Sequence, residues 1–199
     1  MMKSIDNMPY IRLAWRKTRG CYDNYGLKET LRRMIKEIIR KFRRNRKSLD
    51  ISFLTDNLAI GAAPESVEEW NAIFCQGFTN IIDLRAERKE MVAFREVAGD
   101  IVIKYVPTYD DWRVKPRHFF RQLADEIEES GLSECNARLL LCCGEGEHRA
   151  PLAGLLALVI MGYTLDDAAS IIAKKRPVAE LLPIYISSLN NYLEEGNVI

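Results

Sequence analysis

From residue 51 onward the chain alternates two hydrophobic periods, and no other feature constrains its fold as tightly. Apolar or β-branched runs of strand length occur at 51–55, 57–61, 79–84 ("TNIIDL"), 101–106 ("IVIKYV") and 138–142. Interspersed with them are stretches whose apolar residues recur every three or four positions, the spacing of one helix face. These are 64–73 with Val67, Trp70 and Ile73; a charged stretch at 87–98; 117–130 with Phe120, Leu123 and Ile127; 149–162; one that starts at Thr164; and a last one opened by Pro183. Thr164 with Asp167 three residues later forms a capping-box pattern, and Gly162 a helix stop. Strands and helices in this order predict an α/β fold, a mostly parallel central sheet flanked by helices on both faces.

The first fifty residues read differently. They hold 15 Lys and Arg against 5 Asp and Glu, about +10, while the remaining 14 basic and 23 acidic residues leave about −9. The whole-chain net charge of +1 therefore conceals two unlike surfaces. Between 26 and 47, Leu27, Leu31, Met34, Ile35, Ile38, Ile39 and Phe42 fall on one helix face and Lys and Arg cover the other. The stripe either packs on the following domain or meets a membrane surface or anionic partner, since a basic amphipathic helix suits both. Residues 1–25, with Tyr10, Trp15, Tyr22 and Tyr25 among basic residues, show no clear period. The division expected is a basic N-terminal helical extension over 1–50 and one domain over 51–199. No nucleic-acid module is recognisable, and a nucleic-acid partner is not expected.

No run approaches the roughly 18 apolar residues of a membrane span, and the N-terminus has no signal-peptide core. The expectation is a soluble, cytoplasmic protein, with peripheral membrane contact through 26–47 as the variant. Five cysteines (Cys21, Cys75, Cys135, Cys142, Cys143) without regular spacing argue against a disulfide framework. His118 and His148 are the only histidines, and adjacent Cys142 and Cys143 lack the C-x2-C spacing of a zinc site, so no metal is expected.

The stretch "CCGEGEHRAP" (142–151) joins the apolar run at 138–142 to the apolar helix that follows. A turn from a parallel strand into a helix directs several backbone N–H groups into one concavity, with the positive end of the helix dipole behind them. Such a turn cradles anions. Gly144 and Gly146 allow the tight torsions, and Pro151 suits the first helical turn, where its missing N–H is no loss. Cys143 at the base of the cradle becomes a nucleophile where amides and dipole favour thiolate. Arg149, six residues on, offers a planar fork matched to two phosphate oxygens.

Cys143-x5-Arg149, with Gly146 between, resembles the signature H-C-x-x-G-x-x-R-S/T of the cysteine-dependent protein-tyrosine and dual-specificity phosphatase superfamily. The likeness extends over most of 52–195. "DNLAIGAAP" looks like the opening strand, "GFTNIIDLRAE" like the second core strand, and "KKRP" like a late helix ending. The closing "RAP" resembles phosphatases of regenerating liver, and "NLAIGAAP" also resembles mitochondrial lipid phosphatases of this fold. The resemblance implies catalysis through a phosphocysteine without metal or organic cofactor, with Cys143 as nucleophile and the loop Gly144, Glu145, Gly146, Glu147, His148 and Arg149 binding the phosphoryl group. It implies a general acid on the loop "PTYDDW", at Asp110, or at Asp111 if the loop is shifted by one residue. Trp112 either shapes the pocket or packs this loop onto the body.

Three departures stand against the pattern: Cys142 replaces the usual His, Ala150 the Ser or Thr, and Glu145 and Glu147 occupy variable positions. The missing hydroxyl predicts slow release of the phosphoenzyme, because it normally steadies the departing thiolate. Glutamates in the loop oppose dianion binding unless they point outward, or favour a substrate with cationic flanks. His148 reads as a solvated loop histidine, Cys142 as core packing, and Asp83 and Arg85 as loop organisers. The expected function is a protein-tyrosine or dual-specificity phosphatase. The alternatives are a phosphoinositide or other lipid phosphatase, and a catalytically weak module that binds phosphorylated partners. Rhodanese-like sulfur transfer also uses a cysteine loop but leaves the Asp loop unexplained.

Overall fold

The computed structural model describes residues 10–43, 49–87, 100–132 and 137–196. The charged helix expected at 87–98 falls almost wholly outside these residues, as does Cys135. In chain order the elements are α1 (Tyr10–Arg43), β1 (Ile51–Phe53), β2 (Leu58–Ala62), α2 (Val67–Cys75), β3 (Asn80–Arg85), β4 (Val102–Thr108), α3 (Arg117–Glu129), β5 (Leu139–Cys143), α4 (Arg149–Ile160), α5 (Leu165–Lys175) and α6 (Pro183–Glu194).

The strands form one sheet in the order β1-β2-β5-β3-β4. Only β1 runs antiparallel to its neighbour; β2, β5, β3 and β4 are mutually parallel. Central β5, "LLLCC", is buried at every position, as a strand covered on both faces must be. Its residues alternate between two cores. Leu139, Leu141 and Cys143 face one that includes Phe120, Leu152, Leu155, Ile172 and Leu189 from α3 to α6. Leu140 and Cys142 face another built on Trp70 and Ile73 of α2 with Phe78. Helix α4 is buried from Arg149 to Leu158, and so carries no amphipathic signature. The Thr164 hydroxyl accepts from the Asp167 N–H and opens α5, and Pro183 occupies the first turn of α6.

The N-terminal region departs from the sequence reading. Helix begins at Tyr10, inside the stretch that shows no period, and is interrupted at Gly26, whose φ of 75° and ψ of 178° lie outside helical values. The part before Gly26 is shaped by what it docks on and not by an apolar stripe. Cys21 is buried in the larger core, and a side chain at Gly20 would overlap the carbonyl oxygen of Asp111.

In an open parallel sheet, ligand sites form where the carboxyl ends of the strands meet. Here Ala63 follows β2, Glu87 follows β3, Tyr109–Trp112 follow β4, and β5 ends at Cys143 in register with Ala62. The topology therefore brings the sequence-predicted loops to one edge.

Candidate active site

The loop after β5 is held from outside through its own backbone carbonyls. Arg176, at the end of α5 and fully buried, donates from Nε to the Gly146 oxygen (2.6 Å) and from Nη2 to the Glu145 oxygen (3.2 Å). The same guanidinium binds both carboxylate oxygens of Asp50 at 3.1 Å. The N–H of Glu180 donates to the Glu147 oxygen (2.7 Å). In a planar trans peptide the carbonyl of one residue and the N–H of the next point opposite ways. With three successive carbonyls drawn outward, the amides of Gly146, Glu147 and His148 turn to the inner side. There the Gly146 N–H donates to the Cys143 sulfur at 3.2 Å. Gly146 has φ of 67°, and a Cβ would overlap the backbone of Gly61 and Ala62 and the Arg176 side chain. The glycine is required twice, by torsion and by space.

Arg149, in the first turn of α4, is buried. Its Nη1 and Nη2 pair with the two carboxylate oxygens of Glu87 at 2.7 and 2.5 Å, and Nη1 also donates to the carbonyls of Thr108 (3.0 Å) and Leu84 (3.3 Å). Nε is buried without an acceptor among the described residues. The fork is thus not open as the sequence reading has it; Glu87 closes it. Glu87 stands two residues beyond β3 within "IIDLRAE", and nothing in its sequence context marks it.

Of the two aspartates, Asp110 meets the loop after β5. Its Oδ2 lies 3.1 Å from His148 Nδ1 and 3.2 Å from Lys17 Nζ of α1, and its Oδ1 accepts from the Tyr185 hydroxyl at 3.3 Å. Burial by itself raises this carboxyl, but Lys17, His148 and Arg149 outweigh it and hold Asp110 well below the ordinary range. Asp111 points away, buried between Lys115 Nζ and Arg16 Nε, each at 2.7 Å.

His148 is not the solvated residue expected from its loop position. It is 9% exposed and enclosed by Asp110, by Glu180 (Nε2 to Oε2, 3.6 Å) and by the Trp112 ring. Burial lowers its pKa, yet Asp110 and Glu180 together push it up to about 9. Glu180 is held down at about 2 by its hydrogen bond to His148, against burial, with Arg33 helping.

Trp112 is a wedge. Its φ of 56° is the only positive value outside glycine among the described residues. The strained turn is held by bonds at both ends: its N–H donates to the Tyr185 oxygen (3.1 Å) and its carbonyl accepts from Asn24 (2.9 Å). Tyr25 meets the ring edge-on and the Arg33 guanidinium lies 4.8 Å from its centroid. Arg33 also pairs with Glu180. Helix α1 is thereby part of the site's architecture, a role the sequence did not disclose.

The remaining residues take supporting places. Asp83 and Arg85 form a buried ion pair (2.8 Å) at the end of β3, and the Asp83 carboxylate also accepts from the Arg85 N–H. Cys142 is buried on the α2 side, where burial pushes its thiol well up, so it stays protonated core. Glu145 and Glu147 are half-buried, and Ala150 is fully buried.

Solved structures share this architecture. The chain superposes on human DUSP28 with a TM-score of 0.61 at 19% identity, over 73% of this chain and 93% of that one. A mouse putative dual specificity phosphatase complexed with zinc tungstate gives 0.64 at 18% identity, over 76% and 91%. PTPMT1 in complex with PI(5)P gives 0.60 at 15% identity, over 71% and 93%. The fold is that of the dual-specificity phosphatases. No protein-family profile and no curated protein sequence matches the chain.

Proposed function

We propose that the chain is a phosphomonoester hydrolase of the protein-tyrosine and dual-specificity type, working through a phosphocysteine. The observation that carries this is the Cys143 sulfur under the Gly146 amide in a loop whose carbonyls at Glu145, Gly146 and Glu147 are drawn outward. Cys143 attacks phosphorus and forms the S–P bond as the P–O bond to the leaving group breaks. Inward amides and Arg149 stabilise charge on the three equatorial oxygens. The leaving oxygen takes a proton from Asp110. Water then attacks phosphorus, its proton passes to Asp110, the S–P bond breaks, and phosphate leaves.

The resting geometry adds a condition. Both Asp110 oxygens accept hydrogen bonds or ion pairs, and Lys17 and His148 favour its ionised form. Asp110 must gain a proton before the first step. His148, an imidazolium at neutral pH 3.1 Å away, opposes that protonation for as long as the two stay paired. Arg149 in turn must share Glu87 with the incoming phosphoryl group.

Hydrolysis of an aryl phosphate tests the reading. Activity is expected from the native chain and none above background from Cys143→Ser; hydrolysis that survives the substitution rejects the mechanism. Phosphotyrosine peptides, phosphoserine peptides and phosphoinositides, assayed in parallel, rank the substrate classes.

A further inference from the structure

Beyond Gly26, helix α1 has an inner and an outer face, and the site uses only the inner one. Inside, Thr30 is buried and Arg33 is held by Glu180, by Glu29 (2.8 Å) and over the rings of Tyr25 and Trp112 (4.8 Å each). Outside, Leu27, Leu31, Met34, Ile35 and Ile38 are 62, 50, 41, 55 and 52% exposed. They fall four, three, one and three residues apart, a single stripe. The stripe does not pack on the domain. Nor can the helix roll to bury it, because rolling would carry Arg33 away from Glu180 and Trp112.

Charge indicates what covers it. Between 26 and 47 there are 10 Lys and Arg against Glu29 and Glu37, so 10 − 2 leaves about +8. Arg32 lies beside the stripe with its side chain 81% exposed. A second copy would bring the same excess of positive charge to the contact and be repelled. A surface of lipid phosphates attracts it and offers acyl chains to the stripe. From 27 to 38 the helix is roughly 18 Å long, too short to cross a bilayer, and no helix among the described residues is long and apolar enough to do so.

We infer that the outer face of α1 over residues 27–38 docks in the plane of an anionic lipid surface, with Leu27, Leu31, Met34, Ile35 and Ile38 among the upper acyl chains and the flanking Lys and Arg at the head groups. This goes beyond the phosphatase reading and does not depend on it. Docking also sets where the site lies. The preceding part of α1 grips the acid loop through Arg16, Lys17 and Asn24, so the loop rides on the helix that meets the membrane.

The experiment is sedimentation of the full chain with phosphatidylcholine vesicles, with and without phosphatidylserine. Binding to the serine-containing vesicles is expected to exceed binding to the neutral ones by about tenfold or more, and to fall as salt rises. Leu31→Glu with Ile35→Glu is expected to abolish it. Both positions are exposed, so the doubly substituted chain keeps its melting temperature and its hydrolysis of a soluble aryl phosphate. Equal binding by that variant, equal binding to neutral vesicles, or no binding at all overturns the inference. So does a concentration-dependent dimer that the double substitution returns to monomer, which would make a second copy the occupant. If no aryl phosphate is hydrolysed, the phosphatase reading fails while the vesicle result stands.

Discussion

The loop after β5 and the loop after β4 face one another across the same sheet edge, yet different forces hold them. The first is held mainly through its backbone: three carbonyls drawn outward, a glycine at positive φ, and one buried arginine to which Asp50 is anchored. The second is held mainly through charged side chains, Lys17 and His148 on Asp110, Arg16 and Lys115 on Asp111, with Arg33 over Trp112. A backbone cradle tolerates little and responds little to pH. A cradle of ion pairs can be loosened one charge at a time.

The sharpest way to break this comparison is at the backbone. Gly146→Ala should reduce aryl phosphate hydrolysis at least a hundredfold and destabilise the fold by about 2–5 kcal/mol, since it meets both the torsional limit and an occupied space. Activity with thermal melting checks both effects. Asp110→Asn should come next, lowering kcat about a hundredfold for poor leaving groups and much less for a good one such as p-nitrophenol. A uniform loss across leaving groups would take the acid role away from Asp110.

His148 sharpens the electrostatic half. Its folded pKa of about 9 stands above the ordinary 6.5, so its stabilisation is complete below about pH 6.5 and is lost as pH rises through 9. Stability should fall by about 1–3 kcal/mol across that window in the native chain and stay flat in His148→Gln. Denaturant midpoints measured from pH 6 to 9.5 check the sign. The groups responsible are Asp110 and Glu180, with Lys17 opposing them.

Smaller effects should separate the two aspartates. Lys17→Met removes a positive charge from Asp110, whose pKa should rise, so the acid form persists to higher pH. The falling limb of the pH-rate profile is expected to shift upward, with a gain of roughly threefold at neutral pH. Arg16→Met, which takes one of the two cations from Asp111 and none from Asp110, should leave that limb in place. Ala150→Ser tests turnover of the phosphoenzyme. A burst followed by a slow phase is expected of the native chain, and the substitution should speed the slow phase a few-fold. Equal rates in both phases of the native reaction would remove the argument from the missing hydroxyl.

Much of this is legible in the amino-acid order itself. The strand runs at 51–55, 57–61, 79–84 and 101–106 and the helices at 117–130 and 149–162 lie within a few residues of β1 to β4, α3 and α4, because each carries its own period. Cys143, Gly146 and Arg149 were legible as a set because one loop contains them. The helix from Tyr10 to Gly26 was not, since it packs through Gly20, Cys21 and scattered charges and leaves no stripe. Glu87, Tyr185 and Glu180 were missed for a related reason: a lone glutamate or tyrosine carries no spacing that points to a partner. His148 was misread as solvated because its position in a loop says nothing of what folds over it.

Taken alone, the amino-acid order determined the α/β layering, the glycine-containing turn from β5 into α4 and the charge contrast between the two parts of the chain. These are local properties: periodicity acts within a single strand or helix, and torsional freedom within single residues. Tertiary structure alone decided that Arg149 closes on Glu87, that Asp110 rather than Asp111 meets the loop after β5, and that α1 grips the loop after β4 with its apolar stripe turned outward. The reason is that Coulombic and packing contacts act through space. Arg16 and Asp111 are 95 residues apart in the chain and 2.7 Å apart in the fold, a relation that no spacing in the sequence records.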